Sequence, residues 1–519
     1  MEIEGNIAMK IAVAYPPMES PKGTPLLSQN RQFQYFNAPT YVYPMVPAYM
    51  ASLLKANGYD VLWLDGIAEQ WTYARFVSEI EREQPDLMIM ETKTPVIRNS
   101  WSIVADLKKK FPKMALALVG DHVSWNPQET FEHCPVDYIL TGGDYDFLSL
   151  SLANHLSRGA ALEGGIWWRE KESSVVMTVA HFATASPSSE KQGVIRNSGP
   201  QDMKAHRLDD LPVIDRELTR WKLYAYENGN FKYTPGTYTY AGRDCWWGKC
   251  TFCVWEFNLY PQGSYRIHSA ERMLGEVESL INLGVREIFD DTGTLPAGAW
   301  LKKFCQGMIE RGYNKQLRFG HNMRFNLLNQ EQYELMGKAG FRFILYGLES
   351  GNQKTLDRLD KGVIADKIEE ELRWAKGAGL APHLTVMIGY PWETAEDSQH
   401  TVDFVHDLFA KGLVDTLQGT IVVPYPGTPL YYQCKENGWL KTEDWDRYDM
   451  RESVMQNPIT DEQIRGYVQQ LYTAFVSPQF IARKMLSIRS LEDVKFFTTA
   501  GVKVLGHLTD FKKKQTAGQ

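Results

Sequence analysis

An α/β chain with two parallel-sheet halves is predicted: a doubly wound sheet, then a partial (β/α)6 barrel, then a mainly helical end. Three observations predict it. Five short apolar runs separated by helical segments fill the first 150 residues, six further strand–helix units begin near Thr237, and the alternation lapses between 165 and 230. Short apolar strands separated by helices are what a parallel sheet covered on both faces requires.

The first series of strands is Ile11–Tyr15, Val61–Leu64, Leu87–Met90, Ala115–Val119 and Tyr138–Leu140. Between the first two, Val46, Tyr49, Met50, Leu53 and Leu54 recur at helical spacing, and Asn57-Gly58 closes that helix. Ser102–Lys110 reads as another helix. In such sheets ligands sit beyond the carboxyl ends of the strands, at the switch point of the strand order. Those ends carry YPPMESP, ETKTP, VGDHVSWNP and LTGGDYD, a composition that suits a ligand-facing rim and equally suits plain turns.

Residues 167–182 read as a hairpin and residues 183–202 as a Ser/Gly/Pro-rich loop, so 166–230 is expected to link two domains. The second series runs through Thr237–Ala241, Glu287–Phe289, Leu317–Gly320, Phe343–Tyr346, Leu384–Ile388 and Thr416–Val423. Ser269 can cap a helix with the apolar stripe Met273, Val277, Leu280 and Ile281, ended by Gly284. Asn329 and Gln332 form a candidate capping box, and Gly340 ends that helix. A barrel built this way keeps its chemistry at the C-terminal ends of the strands. The boundaries are expected at 1–165, 166–230, 231–435 and 436–519, the last region closing in the polar stretch DFKKKQTAGQ.

With 519 residues, two or three cores are needed. A formal charge of −7 speaks against a broad nucleic-acid-binding surface. No apolar run reaches the roughly 20 residues that span a bilayer, and MEIEGNIAMK lacks the basic start and apolar stretch of a secretion signal. A cytoplasmic protein is expected, where clustered thiols serve metal or redox chemistry before disulfides.

Three of the six cysteines lie within RDCWWGKCTFCVWE, as Cys245, Cys250 and Cys253, directly after the first strand of the second series. A structural zinc site closes its shell with four ligands. Here Cys134, Cys305 and Cys434 are isolated, and the nearest histidine, His268, follows Cys253 by fifteen positions. Three thiolates suit a [4Fe–4S] cluster with one iron left for a non-protein ligand.

In these residues the chain resembles the radical S-adenosylmethionine (SAM) enzymes, whose usual signature is C-x3-C-x2-C with an aromatic residue before the third cysteine. Phe252 matches the aromatic; the spacing here, C-x4-C-x2-C, has one residue more, within Trp246–Lys249. That segment either lines a substrate or cobalamin cavity or packs the barrel rim. The resemblance implies that the open iron chelates SAM and that an external one-electron reductant of flavodoxin or ferredoxin type triggers its cleavage to a 5′-deoxyadenosyl radical. IFDDTGT resembles the site for the SAM amino group, around Asp290 and Asp291. NMRFN puts Arg324 in reach of SAM, LYGLESGNQ resembles the motif whose Glu349 and Ser350 touch it, and VMIGYPWET nominates Ile388 and Gly389 near adenine. VVPYPGTPLY completes the series.

The first half resembles the Rossmann-like cobalamin-binding domain that precedes the TIM-type barrel in one large class of these enzymes. The match covers YPMVPAYMASLLKANGYDVLWLDG, PDLMIMETKTPVIRNS, LALVGDHVSWNPQE and VDYILTGGDYDF. TGGDYD stands where the class has an Arg-Gly-Glu-Gly-Glu segment, and Asp121-His122 cannot form the D-x-H-x-x-G motif that gives cobalt a histidine. The implied cofactor is base-off cobalamin, its nucleotide tail near Gly120, Asp121, His122, Ser124, Gly142 and Gly143. Lys93, Thr94 and Arg98 would face the lower side of the corrin, and a hydrogen-bonded loop role for His122 stays open.

Together the resemblances imply a cobalamin-dependent radical SAM C-methyltransferase acting on an unactivated carbon, with a peptide or protein side chain as expected substrate and no nucleic-acid or membrane partner. A cyclase or rearrangement enzyme using both cofactors without methyl transfer is the alternative. A metal-binding scaffold without turnover is the third reading.

Overall fold

The computed structural model describes residues 9–27, 33–36, 40–170, 193–498 and 501. The terminal segments MEIEGNIA and DFKKKQTAGQ, and most of the stretch read as hairpin and Ser/Gly/Pro-rich loop, lie outside the described residues.

The first sheet comprises β1 (Lys10–Tyr15), β2 (Asp60–Asp65), β3 (Leu87–Thr92), β4 (Ala115–Gly120), β5 (Tyr138–Leu140), β6 (Ile166–Arg169) and β7 (Ile195–Asn197), in the order β2-β1-β3-β4-β5-β6-β7. The first five are parallel, with β1 registered on β2 from Lys10–Asp60 to Tyr15–Asp65. The chain passes from β1 to β2 on one side and returns to β3 on the other, which creates the predicted switch point. Every side chain of β3 is buried, as expected for a strand covered on both faces. β6 and β7 are antiparallel additions, so two short pieces of the connecting stretch extend the first sheet.

The helices follow their stripes. Met45–Ala56 ends at Asn57, and Gly58 turns with a φ of 87°. The helix read from Ser102 starts at Ile97, because Ile97 and Trp101 continue the buried stripe of Val104 and Leu107 one turn backward.

The second sheet comprises β8 (Gly236–Thr239), β9 (Glu287–Asp290), β10 (Arg318–Met323), β11 (Phe341–Glu349), β12 (Ala381–Ile388) and β13 (Thr416–Ile421). All six are parallel and adjacent in chain order, an open arc of a barrel. Ser269 accepts from the amide of Arg272 to cap Ala270–Asn282, and the Asn329–Gln332 capping box is formed. The C-terminal part is helical, with Asp461–Thr473 laid on β13 through the Tyr472 hydroxyl, which meets both the amide (3.1 Å) and carbonyl (3.2 Å) of Gly419. Among the described residues, no helix is long and apolar enough to cross a membrane.

Candidate active site

The cysteines leave the sheet on a tied loop. Gly242–Arg243 pairs antiparallel with Arg266–Ile267, closing the base of the excursion that carries them. The amide of Cys253 donates to the carbonyl of Cys250 at 3.0 Å, a tight turn. Thr251 donates to the Leu359 carbonyl (3.0 Å) and accepts from the Leu430 amide (2.9 Å), fastening the loop's centre to the end of the helix Gln353–Arg358 and the start of the helix Pro429–Glu436. Cys245 Sγ donates to Thr294 Oγ1 at 3.5 Å. A Cβ on Gly293 would lie 2.8 Å from that of Cys245, so IFDDTGT must offer a glycine there.

None of the three cysteines is in a disulfide and all are half-buried, whereas Cys134, Cys305 and Cys434 are buried elsewhere. Burial pushes Cys250 up to about 12, against the lowering charge of Lys361 and with the help of Cys245, Glu349 and Glu256. Among the described residues no three His, Cys, Asp or Glu side chains close around a single metal ion. Among the described residues the loop offers three sulfurs and no fourth ligand joins them, which fits a cluster with one open iron and not structural zinc.

Around the loop, the candidate SAM residues fall into two groups. Glu349 ends β11 with a φ of 65°, left-handed for a residue with a Cβ, at a register shift after Gly347. Its Oε1 accepts from Lys361 Nζ at 2.7 Å, both side chains being buried, and Lys361 lies 5.6 Å from the centre of the Phe252 ring. Arg324 lays its guanidinium over Trp247 (4.1 Å) and Trp246 (5.4 Å) and donates to the carbonyls of Lys361 and Gly362. Phe252, Arg324, Glu349 and Lys361 thus gather against the cysteines. Lys361 was missed in the sequence, since a lysine twelve residues beyond Glu349 carries no local signal.

The second group turns to the scaffold. Asp290 is fully buried, and burial pushes it up to about 7. It accepts from Thr239 Oγ1 (3.0 Å) and the amides of Ala241 (2.7 Å) and Thr292 (3.2 Å), bracing the start of the cysteine excursion. Asp291 accepts from Asn322 Nδ2 at 2.8 Å. Ser350 Oγ donates to Glu393 Oε1 (2.8 Å) beside Thr401. Ile388 is buried at the end of β12, and Gly389, φ 98°, packs on Ile464.

Across the junction lies the rim of the first sheet. Gly120 (φ 124°) is irreplaceable, because a Cβ there would stand 2.0 Å from the Thr92 carbonyl oxygen. Asp121 Oδ1 accepts from the Thr94 amide (3.2 Å), and His122 Nδ1 pairs with Thr94 Oγ1 at 3.3 Å. His122 is fully buried among Trp101, Trp125 and Trp445, its Nε2 3.3 Å from Glu129. Ser124 Oγ donates to the Gly120 carbonyl (2.6 Å) and accepts from the Gly142 amide (2.9 Å), tying two of the nominated segments together. Gly143 donates to the Leu259 carbonyl at 2.7 Å, and its missing Cβ would fall 2.1 Å from the Tyr260 ring. Lys93 is buried at the end of the same rim, while Arg98 is exposed and pairs with Asp444 at 2.6 Å, away from the junction.

The residues that join the faces are charged. Asp144, Asp146 and Arg243 are buried, with Arg243 Nη1 2.9 Å from Asp144 and 2.7 Å from Asp146 and its Nη2 paired to Asp146. Arg266 grips Asp144 twice, at 2.6 and 2.9 Å. His206 reaches Asp144 with Nδ1 (2.9 Å) and Glu163 with Nε2 (3.2 Å), and stacks on Phe147. Burial alone would raise Asp144, but His206, Arg243 and Arg266 hold it well below the usual carboxylate range. Sequence reading passed over this lock, although the altered acids of TGGDYD were its signal.

The lock carries a pH prediction. Burial opposes the charge of His206, yet its bonds to Asp144 and Glu163 raise it to about 9. A raised pKa gives stability that is full below the unfolded value near 6.5 and lost as pH climbs through the folded one. The melting temperature should therefore fall between about pH 6.5 and 9. His206→Gln should flatten that slope in a pH series of thermal melts.

The comparisons with known proteins bear on this arrangement. Residues 240–405 match the radical SAM superfamily. An uncharacterised methyltransferase of Pyrococcus horikoshii is 26% identical over 438 residues, 83% of this chain and 87% of its own. The radical SAM methyltransferase TsrM of Kitasatospora setae, solved with cobalamin and a [4Fe-4S] cluster, superposes with a TM-score of 0.63 at 15% identity, covering 83% of this chain and 78% of its own. The cobalamin-dependent SAM radical enzyme OxsB, solved with aqua-cobalamin and SAM, gives 0.66 at 14% identity over 97% of this chain and 72% of its own. The cysteine loop lies among the residues, 240–405, that match the radical SAM superfamily, and the fold of the chain is similar to those of TsrM and OxsB.

Proposed function

We propose that the protein is a cobalamin-dependent radical SAM methyltransferase that methylates an unactivated carbon, with a peptide or protein side chain as substrate. In this reading residues 1–165 hold base-off cobalamin, residues 231–435 hold the cluster and SAM, residues 166–230 link them, and residues 436–519 form the helical end. The observation that carries it is the buried Asp144–Arg243–Asp146 lock, which fastens the rim of the first sheet to a residue two positions before Cys245. The cofactors, when bound, supply a 5′-deoxyadenosyl radical and a transferable methyl group.

The chain's own residues do the rest. Cys245, Cys250 and Cys253 would ligate the cluster. Glu349 holds a buried carboxylate paired with the ammonium of Lys361, and Arg324 and Phe252 wall the same space. On the opposite face, Gly120 packs its backbone against Thr92 and Gly142 lies against Gln201, and Ser124 ties the two segments together where the cobalamin tail would lie. The aromatic surroundings exclude water from a reactive intermediate.

Anaerobic turnover of candidate peptides with methyl-deuterated SAM tests the reading. A product heavier by three mass units, with deoxyadenosine and S-adenosylhomocysteine formed together, is expected. Deoxyadenosine without S-adenosylhomocysteine would point to a cyclase or rearrangement.

A further inference from the structure

The extra residue of C-x4-C lies within residues 246–249, and this segment meets the turn at 359–362 that follows the helix Gln353–Arg358. Four backbone carbonyls in succession are taken there. That of Leu359 accepts from the Thr251 amide (3.0 Å), and that of Asp360 from Trp247 Nε1 (2.6 Å). Those of Lys361 and Gly362 accept from Arg324, whose guanidinium lies over the Trp247 ring at 4.1 Å. Asp360 and Gly362 both have left-handed backbone, with φ of 49° and 62°, and a Cβ on Gly362 would run into the Trp247 ring. A residue with a Cβ adopts that conformation only where its surroundings impose it.

The shape of the turn places one side chain. Lys361 points inward from between two exposed neighbours and is itself 8% exposed. Its Nζ donates to Glu349 Oε1 at 2.7 Å and stands 5.6 Å from the centre of the Phe252 ring, beside Cys253. A Cβ on Gly347 would lie 2.7 Å from that Nζ, so the strand offers a glycine where the lysine enters. At Cys250 the charge of Lys361 acts more strongly than the opposing charge of Glu349, and Lys361 and Cys245 act on one another as well. An ammonium is expensive to bury even when paired, so a turn built to bury one points to a task for the charge.

Three thiolates and the sulfides of a cluster form an anionic group, and the charge around such a group sets its reduction potential. We propose that the lengthened cysteine loop clamps the turn at 359–362 through Trp247, and that the clamped Lys361 is a fixed positive charge that makes the cluster easier to reduce. Lys361 and Trp247 are positioning residues in this account: the first acts through its field, the second by holding the first. The inference deepens the cluster reading above and rests on it.

The experiment uses the full chain, reconstituted with its cluster under anaerobic conditions and kept free of SAM. Dithionite with redox mediators titrates the cluster, and the electron paramagnetic resonance signal of its one-electron-reduced form gives the midpoint potential. Lys361→Met should favour the oxidised cluster at least tenfold, a fall of about 59 mV for a one-electron couple. Glu349→Gln removes the opposing charge and should move the potential upward, while Lys361→Arg should stay near wild type. Trp247→Phe keeps a ring but loses the bond to Asp360, and should shift the potential downward by less than Lys361→Met does. Equal potentials in wild type and Lys361→Met would overturn the proposal. Shifts of the same sign in Lys361→Met and Glu349→Gln would overturn it too, since general loosening has no sign of charge. If Lys361→Met retains no cluster, the opposite shifts of Glu349→Gln and Trp247→Phe decide the matter. If the wild-type chain itself takes up no cluster, the functional reading falls first and this proposal with it.

Discussion

Replacing Cys245, Cys250 and Cys253 together by alanine should remove the iron–sulfur absorbance and abolish 5′-deoxyadenosine formation while leaving the fold intact. Both halves of that expectation follow from the loop. The three thiols are its only sulfur donors, and the remaining cysteines are buried elsewhere, so no other residue can rescue the cluster. The loop's path does not depend on the sulfurs. It is set by the Gly242–Arg243 pairing with Arg266–Ile267 and by the backbone bonds of Thr251 to Leu359 and Leu430. Iron and sulfide content, deoxyadenosine by mass and a thermal melt check the three parts separately. Deoxyadenosine from the triple variant would remove the cluster from this loop.

The largest effect on stability is expected at Arg243. In Arg243→Met, Asp146 loses its arginine partner and Asp144 retains only Arg266 and His206, all inside a buried interface. Leaving a buried charge without its partner costs about 3–5 kcal/mol. Urea unfolding should show a midpoint lowered accordingly. Adding Asp146→Asn should restore part of the loss, because a buried pair removed as a unit costs far less than half a pair. Two independent, additive losses would mean that the residues do not act as a pair. Arg243→Lys should fall between, since a lysine cannot bridge Asp144 and Asp146 with a planar fork.

Much of this was legible in the sequence because it depended on local pattern. Leu87–Met90 reads as a buried parallel strand, and the strand that forms, Leu87–Thr92, is buried at every residue. The Asn329–Gln332 box and the Ser269 cap formed because their bonds span three residues. The start of the helix at Ile97 was misplaced, since Thr94-Pro95-Val96 reads as a turn and a short 3-10 turn runs directly into the helix. What local pattern could not carry was partnership across the chain. Asp144 and Arg243 are 99 residues apart, and neither has a neighbour that announces the other. The direction of a buried carboxylate is equally hidden: Asp290 and Asp291 adjoin, yet the first faces back to Thr239 and Ala241 while the second meets Asn322.

The glycine contact at the seam carries a consequence for how such proteins can be recombined. Gly143 lies so near Tyr260 that any side chain at 143 would collide with the ring, and a Cβ on Gly427 would strike Trp125 at 2.7 Å and Asn258 at 2.1 Å. A seam this close makes the halves poor interchangeable parts. A chimera that imports a first domain bearing anything bulkier at 143, or a barrel bearing anything bulkier at 427, would separate its two faces at the point where they must meet. The unit that can be transplanted is the pair.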